Sequence, residues 1–255
     1  MTASPSEYVK HGFVLVPIKA GSKGPRTRGW NKRENCISKL ADAFNLAGQN
    51  IGLAHAYSGT CAIDIDDVKQ AIPWLSEKGI DLIEILMRDD TVQIDSGRDN
   101  RSKLLYRLPN GVDPLPQKKI QVDAAGDVVV GNSDCNHDMI DFRCGTANRL
   151  TVQDLLPESV HPETGNKYQW IGDWRKLPTL PDVFLAVWRK LASDNATGGK
   201  ADAPDDWAAV ELETLGLSAF TKRLIREGIE GTKYKDRSTA LYGALKDLVR
   251  VNADD

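Results

Sequence analysis

The sequence has no long hydrophobic run. Its densest apolar stretch, Val183 to Trp188, falls far short of the roughly 18 residues that a membrane-crossing helix needs, so no membrane segment is expected. The first ten residues, Met1 to Lys10, are polar and lack the apolar core of a secretion signal. Cysteine is scarce: four in 255 residues, without paired spacing. That argues against a disulfide framework and for a reducing, cytoplasmic compartment. A large excess of either charge is also missing, and the net charge of −3 argues against a protein that binds nucleic acid over its whole surface. What is present is 41% apolar and 27% charged residues, enough for a packed core and incompatible with wholesale disorder. The length fits one or two domains, and no internal repeat is visible.

The near-neutral average conceals an uneven distribution. Ahead of Asp64 there are eight basic residues (Lys10, Lys19, Lys23, Arg26, Arg28, Lys32, Arg33, Lys39) and three acidic ones (Glu7, Glu34, Asp42), a local charge of +5. Such a basic face guides an anionic ligand whatever the total charge. Along the chain, Phe13 to Ile18 reads as a strand and Ile37 to Leu46 as a helix stopped by Gly48. Ile51 to Ala56 and Cys61 to Ile65 read as strands around a turn at Tyr57-Ser58-Gly59-Thr60. Val68 to Leu86 reads as a helix broken by Pro73 and Gly79. Short strands follow at Thr91 to Ile94, Leu104 to Leu108, Ile120 to Val122, Val128 to Val130, Met139 to Phe142 and Arg149 to Val152, joined by turn residues such as Asn110-Gly111, Gly126 and Asn132. Val183 to Leu191 is helical, and Ser193 to Pro204 has a linker composition. Trp207 to Leu217, Ala219 to Glu227 and Ser238 to Val251 complete a helical tail. The expected division is 1–175, 176–204 as helix and linker, and 205–255 as a helical accessory domain. The indistinct finish at Asn252-Ala253-Asp254-Asp255 suits one piece of a longer protein.

The most informative segment is Cys61-Ala62-Ile63-Asp64-Ile65-Asp66-Asp67. On a strand, Asp64 and Asp66 share one face while Ile63 and Ile65 take the other. Two close carboxylates repel unless a cation lies between them, and hard oxygen donors suit Mg²⁺ or Mn²⁺. The bland alternative is an edge strand with a solvated polar face, ending in Asp67 as a helix N-cap. Ile140-Asp141-Phe142-Arg143 repeats the alternation, and a third carboxylate on a neighbouring strand would complete a two-metal site, with Arg143 facing phosphate. For Asp141 and Arg143 the alternative is an exposed strand face paired to its neighbours. Between these segments runs Ser96-Gly97-Arg98-Asp99-Asn100-Arg101-Ser102-Lys103, a basic loop entering a strand. Its Arg98, Arg101 and Lys103 suit a triphosphate or a nucleic-acid backbone, although basic loops are usually solvated hairpin tips.

This order of features resembles the bifunctional primase-polymerase domain of phages, plasmids and integrated elements, in the archaeo-eukaryotic primase superfamily. The resemblance covers roughly residues 8 to 175. It rests on Lys23-Gly24-Pro25 with Gly29-Trp30-Asn31, on Asn50-Ile51-Gly52-Leu53 leading into Asp64-Ile65-Asp66, on Ser96 to Arg107, on Asp141-Phe142-Arg143, and on Ser159-Val160-His161-Pro162 with Gly165, Tyr168 and Trp170. It implies an α/β (α+β) fold: an RNA-recognition-like sheet half beside an αβ N-terminal half, with a small C-terminal helical domain. It also implies template-directed nucleotidyl transfer on single-stranded DNA by NTPs or dNTPs, with two Mg²⁺ or Mn²⁺ ions held by Asp64, Asp66 and Asp141. Ser96, Arg98, Arg101, Lys103, Arg143 and His161 are then candidates for binding the nucleotide, and Lys23, Arg26 and Trp30 for binding DNA. One departure stands out: many relatives carry a histidine where this chain has Lys103, which binds phosphate as a point charge but cannot act as a neutral imidazole.

Other candidates weigh less. Cys135, His137 and Cys144 offer three soft ligands, and some relatives carry a zinc stem. Structural zinc wants four ligands at tighter spacing, and the fourth would be Asp134 or Asp138, so zinc is not expected. His55 reads as a satisfied core histidine. Most tryptophans read as core or interface residues. Lys222, Arg223, Arg226, Lys233, Lys235 and Arg237 suit a template grip or a solvated helix face equally. Relatives often continue into a helicase. Two competing readings are a replication initiator that binds single-stranded DNA with decayed chemistry, and a metal-dependent nuclease, which would not need the triphosphate-binding loop.

Overall fold

Strand Thr60–Ile65 is apolar on both faces except at Thr60 and Asp64, the signature of a strand covered on both sides. A computed structural model describes residues 3–131, 135, 137–194 and 222. Its strands are β1 (Leu15–Ile18), β2 (Asn50–Ala54), β3 (Thr60–Ile65), β4 (Gln93–Asp95), β5 (Ser102–Arg107), β6 (Lys118–Val122), β7 (Val128–Val130), β8 (His137–Arg143), β9 (Gln153–Leu155) and β10 (Gln169–Ile171). The helices are α1 (Pro5–Lys10), α2 (Leu40–Ala43), α3 (His55–Ser58), α4 (Val68–Ser76), α5 (Leu82–Met87) and α6 (Asp182–Asp194). The strands form two antiparallel sheets, a small one ordered β1-β2-β9 and a large one ordered β10-β4-β5-β3-β8-β6-β7.

The large sheet separates two cores. On one face Cys61, Ile63, Ile65, Leu104, Ile140 and Phe142 pack against Ala71 and Leu75 of α4, Leu82 of α5, and Phe184 and Trp188 of α6. On the other face Ala62 and Leu105 join Leu15, Val16 and Ile18 of β1, Leu53 of β2 and Leu155 of β9. The result is a helix layer, a large sheet and a small sheet, with β3 central in the middle layer. Trp188 anchors the helix side: it is fully buried, packs on Phe142 at 5.3 Å between centroids, and donates its Nε1–H to the Pro116 carbonyl at 2.8 Å.

Several elements differ from the sequence expectation, each for a local reason. The helix expected from Ile37 starts at Leu40, because Ile37 is paired with Leu15 in an isolated bridge. β2 and β3 are not partners; the single turn of α3 carries the chain from one sheet to the other. His55 therefore begins a helix rather than sitting on a strand. Pro73 lies inside α4, and the break falls at Gly79, whose φ of +74° closes the helix. The strand expected at Arg149 to Val152 starts later, at Gln153, since Arg149 adopts φ +58° in a turn donating to the Thr146 carbonyl. Ser193 and Asp194 belong to α6 instead of a linker. Helix α1, held by a Ser4/Glu7 capping box, and strand β10 have no counterpart in the expectation.

The chain divides into two compact units, Met1–Gly198 and Gly199–Asp255. In the second, only Lys222 is described, and it is helical. The tail helices and their other basic residues lie outside the described residues. Among the described residues no helix is long and apolar enough to cross a membrane.

Gly172 gives a direct test of the sheet edge. It has φ +83°, and an added Cβ would sit 2.2 Å from the Thr91 carbonyl oxygen, just after β10 pairs with β4. Gly172→Ala is expected to destabilise the domain by about 2 kcal/mol or more, since backbone strain and a clash with rigid backbone combine. Urea unfolding measures it, and a midpoint equal to that of the native chain refutes it.

Candidate active site between the two sheets

The site begins with the pairing register. Asp64 on β3 lies directly across from Lys103 on β5 and, on its other side, from Asp141 on β8. Directly paired residues of antiparallel strands share a face, so Lys103, Asp64 and Asp141 form a charged row. They share that face with Ala62 and Arg143, which are paired two residues along. It is the face turned to the small sheet, and β9 supplies the other wall. Ile63 and Ile65 hold the opposite face in the core, which locks the register against a one-residue slip. Asp67 caps α4 by accepting the Gln70 N–H at 3.1 Å, and Asn100 and His137 also donate to it.

A cavity of about 240 Å³ opens between the sheets. Of the residues singled out in the sequence, Asp64, Asp66, Ser96, Arg98, Arg101, Lys103, Arg143 and Lys23 line it. The basic loop, turning at Gly97 (φ +69°) and Asn100 (φ +59°), thus reaches the same space as the acidic pair. Arg26 and Trp30 do not line the cavity: Arg26 is exposed, and Trp30 is half-buried against the core on the small-sheet side. His161 does not line it either. It is fully buried, its Nδ1 accepts the backbone N–H groups of Glu163 and Thr164 at 3.3 Å, and its Nε2 has no partner among the described residues. Asp141 lies behind Arg143 and Gln117, 3% exposed.

Every carboxylate of the expected triad meets a side-chain donor. Asp66 pairs with Arg101, and Asp64 lies 3.0 Å from the Lys103 Nζ. Asp141 accepts from Arg143 at 2.6 Å and from the Gln117 amide at 2.6 Å through the same oxygen, Oδ2. Its Oδ1 is buried without a partner among the described residues. Burial pushes the Asp141 carboxyl up to about 6, and the Arg143 guanidinium opposes that rise. No three His, Cys, Asp or Glu side chains among the described residues are gathered as a ready metal-holding group. Cys144 is buried with Phe142 in the core against the helices, where burial pushes its thiol up to about 12. Asp134 lies outside the described residues.

Sequence reasoning missed one acid. Asp154 on β9 is 3% exposed and contacts three groups: His55 Nε2 at 2.8 Å and Arg143 Nε at 3.0 Å on Oδ2, and Lys103 on Oδ1. Burial alone would raise its pKa; Arg143 and Lys103 outweigh that and hold the carboxyl well below the usual carboxylate range. Burial likewise opposes charge on Lys103, and Asp154 with Asp64 overcomes it, holding the ammonium above its usual value. His55, a satisfied buried histidine, adds a contact from Nδ1 to the Thr60 hydroxyl at 3.0 Å. The available signal was an acid inside the mostly apolar run Leu150 to Leu156, where a charge survives only with partners.

A family model for the N-terminal domain of bifunctional DNA primase/polymerases matches residues 5–183. The chain belongs to that family. A comparison with curated proteins gives no match. The match spans both sheets of this primase/polymerase domain and the first residues of α6. Membership of the primase/polymerase family brings nucleotidyl transfer as the general activity, with DNA and nucleotides as the substrates.

Proposed function

We propose that this primase/polymerase domain starts and extends chains on single-stranded DNA, in the replication of a phage, plasmid or other mobile element. The observation that carries the reading is one shared cavity: Asp64 and Asp66 line it together with Arg98, Arg101 and Lys103 of the basic loop. A nuclease needs the acids but not that loop. Arg98, Arg101 and Lys103 bind and orient the triphosphate as fixed positive charges, with Ser96 at the loop entrance. Arg143 adds a planar guanidinium suited to phosphate oxygens, and Lys23 draws template or phosphate from the solvent side. The sheet bearing β3, β5 and β8 serves as the RNA-recognition-like half, and a helicase is the expected neighbour in a longer chain.

The donor chemistry suits a hard divalent cation: Asp64 and Asp141 stand opposite one another, Asp66 comes directly after the end of β3, and the Asp141 Oδ1 is buried without a partner among the described residues. Two Mg²⁺ or Mn²⁺ ions held by Asp64, Asp66 and Asp141 would polarise the attacking 3′-hydroxyl and neutralise charge on the leaving pyrophosphate. One observation favours a second reading, a DNA-binding initiator. Lys103, Arg101 and Arg143 already partner the three acids, so the acids would repel DNA less than bare carboxylates do.

A priming and extension assay separates these readings. It uses single-stranded and primed templates, Mg²⁺ or Mn²⁺, and labelled NTPs or dNTPs, with an Asp64→Ala/Asp66→Ala double variant beside the native chain. Template-dependent product from the native chain alone is expected. DNA binding without product from either protein would overturn the enzyme in favour of the initiator, and cleavage of the template would favour the nuclease.

A further inference from the structure

The proposed metal acids and the cations beside them pose a problem of charge. Lys103 and Arg143 each touch two carboxylates. Lys103 spans Asp64 and Asp154, and Arg143 spans Asp141 and Asp154. Asp154 is thus the common counter-ion of both cations, on the opposite sheet from the acids that would take metal. Its two oxygens are filled by three donors, whereas Asp141 keeps one buried oxygen without a partner among the described residues. A carboxylate already engaged by His55, Arg143 and Lys103 is a poor metal ligand; one with an unmatched oxygen is a good one. The two buried acids therefore have different tasks.

We infer that Asp154, oriented by His55, is a positioning residue that draws Lys103 and Arg143 toward the small sheet and so leaves Asp64 and Asp141 available to divalent cations. His55 suits the orienting part. It is 0% exposed, its Nε2 meets the same Asp154 oxygen that accepts from Arg143, and its other nitrogen meets Thr60 at the start of β3. The chain thereby ties β9 to β3 through one imidazole. Without the Asp154 charge, the nearest remaining acid for Lys103 is Asp64 and for Arg143 is Asp141. Both cations would then settle on the acids they now share, and compete with metal there. The third pair differs: Arg101 meets Asp66 without a contact from Asp154.

This inference rests on the metal-dependent reading above, and the test keeps the two apart. Binding of Mn²⁺ alone, without nucleotide, is measured by the loss of the free-ion electron paramagnetic resonance signal. The proteins are the full native chain, Asp154→Asn, Lys103→Met, and the Lys103→Met/Asp154→Asn double variant, each checked by thermal melting. Asp154→Asn is expected to weaken Mn²⁺ binding by about tenfold or more, the effect of losing a group that orients metal ligands. Lys103→Met is expected to bind Mn²⁺ at least as tightly as the native chain, because it removes the competing cation. The double variant is expected to regain most of the loss.

A merely structural Asp154 would make the double variant worse than either single one, and that result overturns the inference. So does native-like Mn²⁺ affinity in folded Asp154→Asn. If Asp154→Asn does not fold, Lys103→Met still decides: weaker Mn²⁺ binding than the native chain overturns the inference, and equal or tighter binding supports it. A native chain that binds no Mn²⁺ removes the metal reading itself, and the inference falls with it.

Discussion

Asp64→Asn is expected to slow nucleotidyl transfer by about 10³-fold while leaving the fold intact, because charge stabilisation at the reacting phosphate is the largest single contribution of such a site. The substitution keeps the shape of the side chain. It removes the charge that stands between Lys103 and Asp141 in the row across β5, β3 and β8. Stability should change little. Asp64 is only half-buried, and its partner Lys103 retains Asp154. A shift of about 1 kcal/mol corresponds to roughly 2–4 °C in melting temperature for a domain of this size. Single-turnover extension of a primed template, beside a thermal melt, measures both quantities. Retention of more than about a tenth of the native rate would remove Asp64 from the catalytic set, since losing even one preorganised charge-stabilising group costs about 10²–10³-fold.

Asp154→Leu should have the reverse profile, with a large loss of stability. Two half-buried cations, Lys103 and Arg143, lose their common counter-ion, and His55 loses the partner of its Nε2. Breaking a buried ion pair on one side costs about 3–5 kcal/mol; Asp64 and Asp141 still partner the two cations, so a loss at the lower end, about 3 kcal/mol, is expected. Urea unfolding at several pH values tests the origin of the loss. The folded-state pKa of Asp154 is depressed, so its contribution is fully present above the unfolded carboxyl value of about 4 and is lost as pH falls below it. The gap between native chain and variant should therefore be constant near neutrality and close as the solution is acidified below about pH 4. His55 adds a separate loss on acidification that does not depend on the Asp154 charge. Burial holds its pKa below the usual imidazole value, so the native chain begins to lose stability as pH falls below about 6.5. A gap independent of pH would mean that Asp154 stabilises by packing alone.

These expectations draw on different layers of information. The burial of Ile63 and Ile65 and the Asp67 cap follow from alternation and local hydrogen bonding; Asp64 and Asp66 both line the cavity, although Asp66 lies just past the end of β3 rather than on it. The broken helix after Asp67 also follows from local pattern, although its break lies at Gly79 and not at Pro73. The ordered set of short motifs was enough to point to the primase/polymerase family, which the match over residues 5–183 shows. Local pattern is strong here because the large sheet is covered on both faces, so its side-chain register leaves few alternatives.

Long-range pairing was not legible in the same way. Nothing in Gln153-Asp154-Leu155 says that β9 joins β2 in a separate small sheet and brings its acid against Lys103 and Arg143 from β5 and β8. Those contacts join residues 51 and 11 positions apart, and a buried acid reveals its partners only when the chain has brought them together. The same holds for what the tertiary structure separates: Arg26 and Trp30 share a motif with Lys23 yet do not line the cavity, and His161 is packed out of it. The sequence by itself determined which strand faces carry charge and which family the motifs suit. Only the folded chain decided which charges meet, because ion pairing depends on distance and burial, and both are set by how two sheets pack.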